Sequence, residues 1–219
     1  MEGYQKLSPV RLPGTIEKSM QRDGWEIALR YSQEDSPLTI IDLSHLSKWE
    51  IYAPELSGRS LGPIHVPNRT GEVVLTTKVI VGLCRPSVAL AIMCDHSGDD
   101  LLNEVNYADV TDGYALLALI GDDGPLTMEK ITDLDLASRS GRYARLVQGP
   151  LLGAPSKIMI FSTAGCKKGM LITVARGSGQ SIVDAILDAG AGFELKSAGE
   201  RAFNRWLGFF IQADGINGD

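Results

Sequence analysis

The chain has 219 residues, a formal net charge of −6 and a pI near 5.1. An acidic balance lacks the basic footprint that a nucleic-acid backbone or an anionic membrane surface requires, so neither is expected as a partner. Hydrophobic residues make up 44% and aromatics only 6%, which predicts a soluble core built mainly of Leu, Ile, Val and Ala.

In chain order, residues 1–24 are polar, carry Pro9 and Pro13, and read as a loose N-terminal arm. Strand-like segments follow at Trp25–Tyr31, Leu38–Leu43 and Lys48–Ala53, the last alternating as a half-buried strand does. Residues 56–71 are rich in Gly and Pro and read as loop. Glu72–Leu83 is long and β-branched. Arg85 and Pro86 break it, and Ser87–Met93 returns as the second arm of a hairpin. Ser97 can cap a helix, with Asp99 and Asp100 suited to its N-terminal end. Tyr114–Ile120 is a strand, and Asp123 precedes a helix with Pro125 in its first turn, carrying Leu126, Ile131 and Leu134. Arg142–Val147, Ser156–Ser162 and Gly169–Ala175 are strands, with a turn from Gly165 to Gly169. Ser181–Gly190 is an amphipathic helix with Ile182, Val183, Ile186 and Leu187 on one face. A last helix spans Ala198–Leu207, with Phe203, Trp206 and Leu207 inward.

Cys84, Cys94 and Cys166 are an odd, scattered set with no CxxC pair, so reduced thiols are expected. The start lacks an apolar segment of signal-peptide length, and the longest apolar runs, Val88 to Met93 and Ala115 to Ile120, are strand-sized. The expected location is therefore the cytoplasm. Cys94, Asp95, His96, Asp99 and Asp100 have no distant partner to complete a metal set, and no metal site is expected. No acid is placed to orient His45 as a triad would require, and His65 is a loop residue without a visible partner. Asp122 and Asp123 read as a turn and helix cap. Nucleotide-binding glycine motifs are absent.

Two stretches repeat one pattern. Asp42-Leu43-Ser44 leads into Lys48-Trp49-Glu50-Ile51, and Asp109-Val110-Thr111 leads into Leu116-Leu117-Ala118-Leu119, with a one-residue slip. A duplicated strand–turn unit predicts two similar halves about a pseudo-axis with a groove between them. The fold class is thus α+β: two pseudo-repeated lobes of mixed, mainly antiparallel sheet with helices. Residues 25–108 form a first lobe and 109–219 a second, together one unit.

The stretch IIDLSHLSKWEIYAPE resembles the "D-L-S-H-x-x-K-x-x-x-x-G-P-D" segment of the glycine cleavage T-protein family, aminomethyltransferases that use tetrahydrofolate. VTDGYALLALIGDDGPLTMEKITDLDL resembles that family's later "V-T-D…L-x-G…L…D-L" segment. Pro63 to Asn68, Asp133 to Leu136, Val174 to Ser178 and Val183 to Gly190 are similar to the gamma subunit of heterotetrameric sarcosine oxidase, a shortened relative. The resemblance covers roughly residues 19–200. It implies the T-protein folate-binding fold without the C-terminal barrel that closes the folate channel. An open groove would expose apolar surface on the outer side of Val79–Leu83 and along Trp206–Phe210. A homo-oligomer, or partner subunits, would cover that surface.

The resemblance also places the family's acids. Its "G-G-I-I-D-D" segment falls on Gly71 to Thr76, where Leu75 and Thr76 stand in place of the acids. Its "Y-T-G-E-x-G-F-E" segment falls on Ala164 to Leu171, where Lys168 and Leu171 do. Neither a hydroxyl nor an alkyl group supplies general acid–base help near neutral pH. No catalytic residue is therefore assigned, and the enzyme reading is disfavoured. No cofactor is expected, and tetrahydrofolate in an altered pose stays the one open ligand. Groove-facing candidates for such binding are Thr76, Thr77, Arg85 and Arg176. Cys166, between Gly165 and the lysines 167 and 168, reads as part of a basic turn, or as a thiolate favoured by those lysines. The functional expectation is an accessory subunit in one-carbon or amine metabolism. The alternative is a stand-alone tetrahydrofolate-binding enzyme with relocated acids.

Overall fold

Asp23 and Gly24 both take positive φ (51° and 82°), the geometry of a tight hairpin turn. They fold β1 (Ile16–Arg22) onto β2 (Trp25–Tyr31), in a computed structural model that describes residues 5–62, 64–94, 105–136 and 143–213. The segment expected as part of a loose arm is therefore half hairpin. Its strand β1 is exposed on both faces, so burial could not announce it, while β2 alternates buried and exposed.

The chain continues through β3 (Thr39–Asp42), β4 (Lys48–Tyr52), β5 (Ser60–Leu61), β6 (Ile64–His65), β7 (Val73–Leu75), β8 (Val79–Arg85), β9 (Val88–Met93) and β10 (Asn106–Asp109). After a 3-10 turn at Thr111–Gly113 come β11 (Tyr114–Ile120), α1 (Gly124–Met128), β12 (Tyr143–Leu151), β13 (Ala154–Ser162) and β14 (Gly169–Ala175). The last elements are α2 (Gly179–Gly190), β15 (Lys196–Ser197) and α3 (Glu200–Ala213). One sheet has the order β10-β4-β9-β8-β7 and is antiparallel throughout. The other has the order β12-β13-β14-β11-β3-β15, with only β15 parallel to its neighbour. The chain is α+β.

The duplicated pattern is visible as hydrogen bonds. Leu43 N donates to Leu116 O (2.9 Å), and Val110 N donates to Lys48 O (2.9 Å). Leu116 N donates to Ser44 Oγ (3.2 Å), and Lys48 N donates to Thr111 Oγ1 (2.9 Å). Asp42 Oδ1 accepts from Ser44 N (2.9 Å), and Asp109 Oδ1 accepts from Thr111 N (2.8 Å). These three bonds of one copy each have a counterpart in the other, with Lys48 equivalent to Leu116 across the one-residue slip. The copies cross between sheets in opposite directions. β3 leaves the six-stranded sheet for β4 in the five-stranded one, and β10 leaves the five-stranded sheet for β11 in the six-stranded one. Each Asp holds its turn closed by accepting a local backbone N–H, as aspartates in turns do.

The inner strands β8, β9, β11 and β14 are covered on both faces, which is why they read as unbroken apolar runs. Ile80 and Cys84 of β8 face the space between the sheets, while Val79, Val81 and Leu83 pack under Leu56, Leu61, Ile64 and Val66. Leu116, Ala118 and Ile120 of β11 face the same central space. Ala115, Leu117 and Leu119 face α1 and α2. Strand period two sorts the residues between layers.

Several elements differ from expectation. Glu72–Leu83 is two strands, because Thr76 Oγ1 accepts from Lys78 N (3.2 Å) and Val79 N (3.0 Å) and folds residues 76–78 into a turn. The helix after Asp123 is only five residues, and its Leu126 is exposed. β5 and β6 pair within the loop of residues 56–71. The last helix runs to Ala213 rather than ending at Leu207. The helix expected from Ser97, and the acidic set around His96, lie outside the described residues.

Candidate functional site

The space between the sheets is where a folate channel was expected to stand open. α3 fills it. Phe203, Trp206, Leu207, Phe210 and Ile211 all point inward and are buried. They join Leu75, Ile80, Leu116 and Phe161 in one cluster. Phe161 meets Trp206 and Phe210 edge-on at 5.7 and 5.8 Å between ring centroids. Gly169 lets the helix come this close, since any Cβ there would enter the Trp206 ring. Trp206 Nε1 donates to Lys167 O (2.7 Å), so the one polar atom of the indole is satisfied. Leu75 is 2% exposed within this apolar cluster, and Leu171 is buried in it as well.

The expected apolar patch is therefore largely covered. Val79, Val81 and Leu83 lie beneath the loop of residues 56–66, and Phe210 is buried, leaving only Phe209 of that set prominent at 59% exposure.

The four groove candidates are not brought together. Thr76 and Thr77 sit on the β7–β8 turn, the first half-buried and the second exposed. Arg85 is exposed at the opposite end of β8, roughly 20 Å away at about 3.3 Å per residue. Arg176 follows β14, and its Nη2 donates to the Leu7 carbonyl, tying down the N-terminal segment.

Other residues acquire partners that their sequence neighbourhood hides. His45 Nε2 lies 3.0 Å from Glu200 Oε1, an acid 155 positions away. The same carboxylate takes two bonds from Arg22, at 2.8 and 3.0 Å. Burial would push the Glu200 carboxyl up. The bonds from His45 and Arg22 outweigh it and hold it down at about 2. His65 Nδ1 pairs with Ser60 Oγ at 2.8 Å across β5 and β6. Lys48 is fully buried, and its Nζ donates to Ser44 O (2.9 Å) and Leu46 O (2.8 Å). Burial lowers its pKa to about 8 despite the nearby Asp42, Asp109 and Asp112. Glu50 on β4 bonds Lys157 of β13 (2.9 Å), Tyr114 of β11 (3.3 Å) and Tyr52 (2.5 Å), stitching the two sheets together. These clusters are closed on themselves and explain cohesion. Among the described residues no group of His, Cys, Asp and Glu is arranged to hold a metal ion.

An open cavity of about 1000 Å³ lies outside the central core. Its walls are the β2–β3 connection, the β13–β14 turn, β15 and the outer side of α3, and Ile120 and Trp206 reach it from below. Cys166 lines it, but burial and the Asp122 charge push its thiol up, against the reading of a lysine-activated thiolate. Asp122 Oδ1 accepts from Lys168 N (3.2 Å), so the acid closes the turn.

No family model matches the chain, and no curated protein matches it. A solved structure is similar: a chain of the heterotetrameric sarcosine oxidase from Corynebacterium sp. U-96, in complex with pyrrole 2-carboxylate. The identity is 17%, the TM-score 0.56, and the match covers 71% of this chain and 85% of that one. At that identity the likeness shows a shared fold. Among the described residues no helix is long and apolar enough to cross a membrane.

Proposed function

We propose that this chain is a non-catalytic accessory subunit that works bound to partner chains, in amine or one-carbon metabolism and within the cytoplasm. The observation that carries the reading is the filled centre. α3 sends buried aromatic side chains into the core shared by the two sheets, and Leu75 and Leu171 occupy the positions where the resemblance puts acids. A pterin placed there would displace packed rings and find no carboxylate to accept from its donor edge, a mismatch of about 1–3 kcal/mol for each unpaired group. The fold shared with a chain of a heterotetrameric enzyme supports a subunit role. Self-association has less support, because the apolar surface that would have driven it is covered from within.

The test is co-expression with the products of adjacent genes, followed by purification on this chain and light scattering. A stoichiometric complex is the expected result, with no saturable tetrahydrofolate binding by the isolated protein in calorimetry. A monomer in every co-expression, together with low-micromolar tetrahydrofolate binding, would transfer the assignment to the stand-alone folate enzyme.

A further inference from the structure

On a chain of net charge −6, five cations converge on the 1000 Å³ groove: Arg30, Lys167, Lys196, Arg201 and Arg205, from four separate elements. Among the described residues two acids, Glu34 and Asp35, line it. Glu34 Oε2 already accepts from the backbone N–H groups of Tyr31 and Gly199, both at 3.1 Å, and Glu34 Oε1 is 3.9 Å from Arg205 Nη2. The cations are weakly matched inside the molecule. Lys167 and Lys196 reach neutral backbone carbonyls, at 3.2 and 3.4 Å. Arg30 meets Glu17 at 3.3 Å where both are half exposed, a pair of small worth. Arg201 has no ion pair among the described residues.

The positions have a geometry. Arg201, Arg205 and Phe209 stand four residues apart on α3, on one exposed stripe opposite the buried face. The stripe is about 12 Å long at 1.5 Å per residue. An added Cβ on neighbouring Gly208 would meet nothing within 4 Å, so the surface beside Phe209 is low and open. A single small anion would satisfy one end of such a stripe and leave Phe209 in water. A nucleic acid would meet the net negative field of the rest of the chain. A protein segment with acids spaced along one side and an apolar residue at the end matches both the charge and the exposed ring.

We infer that the groove between α3, the β2–β3 connection and the β13–β14 turn docks an acidic segment of a partner protein, its carboxylates on Arg201 and Arg205 and an apolar side chain against Phe209. This rests on the subunit reading and names the surface that reading requires.

The test uses a fluorescein-labelled peptide of about twelve residues, with glutamates every third or fourth position and one leucine near its C-terminal end. Anisotropy is measured against the full chain at low and physiological salt. The expected result is saturable binding that weakens with salt and falls at least about tenfold in the Arg201→Glu/Arg205→Glu double variant. Phe209→Ser should lose several-fold more than the loss caused by removing the peptide's leucine in that same variant. A peptide with glutamine in place of glutamate should not bind. All three substituted side chains are solvent-facing, and unchanged melting of the variants confirms that the fold is intact. Equal binding to wild type and the double variant overturns the inference, as does polyphosphate that binds as tightly and displaces the peptide. Co-purification with partner chains that survives the double variant also overturns it while leaving the subunit reading in place. Co-purification lost in that variant supports both.

Discussion

Glu200 ties three segments that are distant in sequence, because one carboxylate holds Arg22 of the β1–β2 hairpin and His45 of the β3–β4 turn at the start of α3. Its folded pKa of about 2 lies below its ordinary value of 4.5. Between those values the unfolded chain binds the proton that the folded chain refuses. The carboxylate therefore contributes stability in full above about pH 4.5, and that contribution is lost as pH falls toward 2. Its size is on the order of a few kcal/mol. Glu200→Gln should lower the melting temperature at pH 7 and flatten the acid limb of the stability curve; an unchanged acid limb would show that the carboxylate stays protonated or unpaired. Lys48 acts in the alkaline range. Its folded pKa of about 8 lies below the ordinary 10.5, so the unfolded chain again holds the extra proton, and stability from this group rises as pH climbs between those values. Denaturant midpoints at pH 8 and pH 10 for wild type and Lys48→Met check the sign. The wild type should gain relative to the variant at the higher pH.

At the scale of elements, α3 decides what the molecule can bind. Trp206→Ala removes a buried ring that touches Phe161, Phe203 and Phe210 and deletes the bond to the Lys167 carbonyl. The expected cost is about 3–5 kcal/mol, read from denaturant unfolding. The space so created adjoins the groove that Trp206 reaches, and binding of a hydrophobic dye by that folded variant, absent in wild type, would show that the Trp206 ring seals the core on this side. Much of this architecture was legible. Trp25–Tyr31, Tyr114–Ile120 and Gly169–Ala175 carry their full strand signal in the side chains themselves. Thr76, Thr77 and Lys78 hid a turn because it is closed by a threonine hydroxyl and needs no Gly, Asn or Pro. Asn106–Asp109 hid a strand because all four residues are exposed, and an edge strand with no buried face has no period to read. The last helix reads from sequence as ending at Leu207, although Phe210 and Ile211 continue the inward stripe of Phe203, Trp206 and Leu207. The candidate site was less legible still. The groove cations run from Arg30 to Arg205 with no local spacing, and only the packing of α3 against β14 and β2 brings them to one place.

For the whole molecule, the reciprocal crossing is the join on which both sheets depend. Each sheet donates a strand end to the crossover, and the two hydroxyls Ser44 and Thr111 are equivalent acceptors for Leu116 N and Lys48 N. Both hydroxyls are buried, at 0% and 7% exposure, so removing either leaves a backbone N–H without its partner and with little water to replace it. Ser44→Ala and Thr111→Val should each cost about 1–3 kcal/mol, and the pair should be non-additive, since the bonds stand side by side in one network. Near-symmetry in sequence thereby becomes near-symmetry in energy. The same geometry argues that neither sheet unfolds alone: pulling β4 from the five-stranded sheet strains β3 in the six-stranded one, and β10 with β11 repeats the coupling in reverse. Unfolding should therefore be one cooperative transition, even though the two large sheets have distinct outer cores. Tryptophan fluorescence follows Trp49 in the five-stranded sheet once Trp25 and Trp206 are replaced by phenylalanine, and far-ultraviolet dichroism follows the whole chain. The two denaturant curves should coincide. Separate midpoints, with Trp49 released first, would mean that the sheets are independent units and that the crossing bonds join them without coupling them.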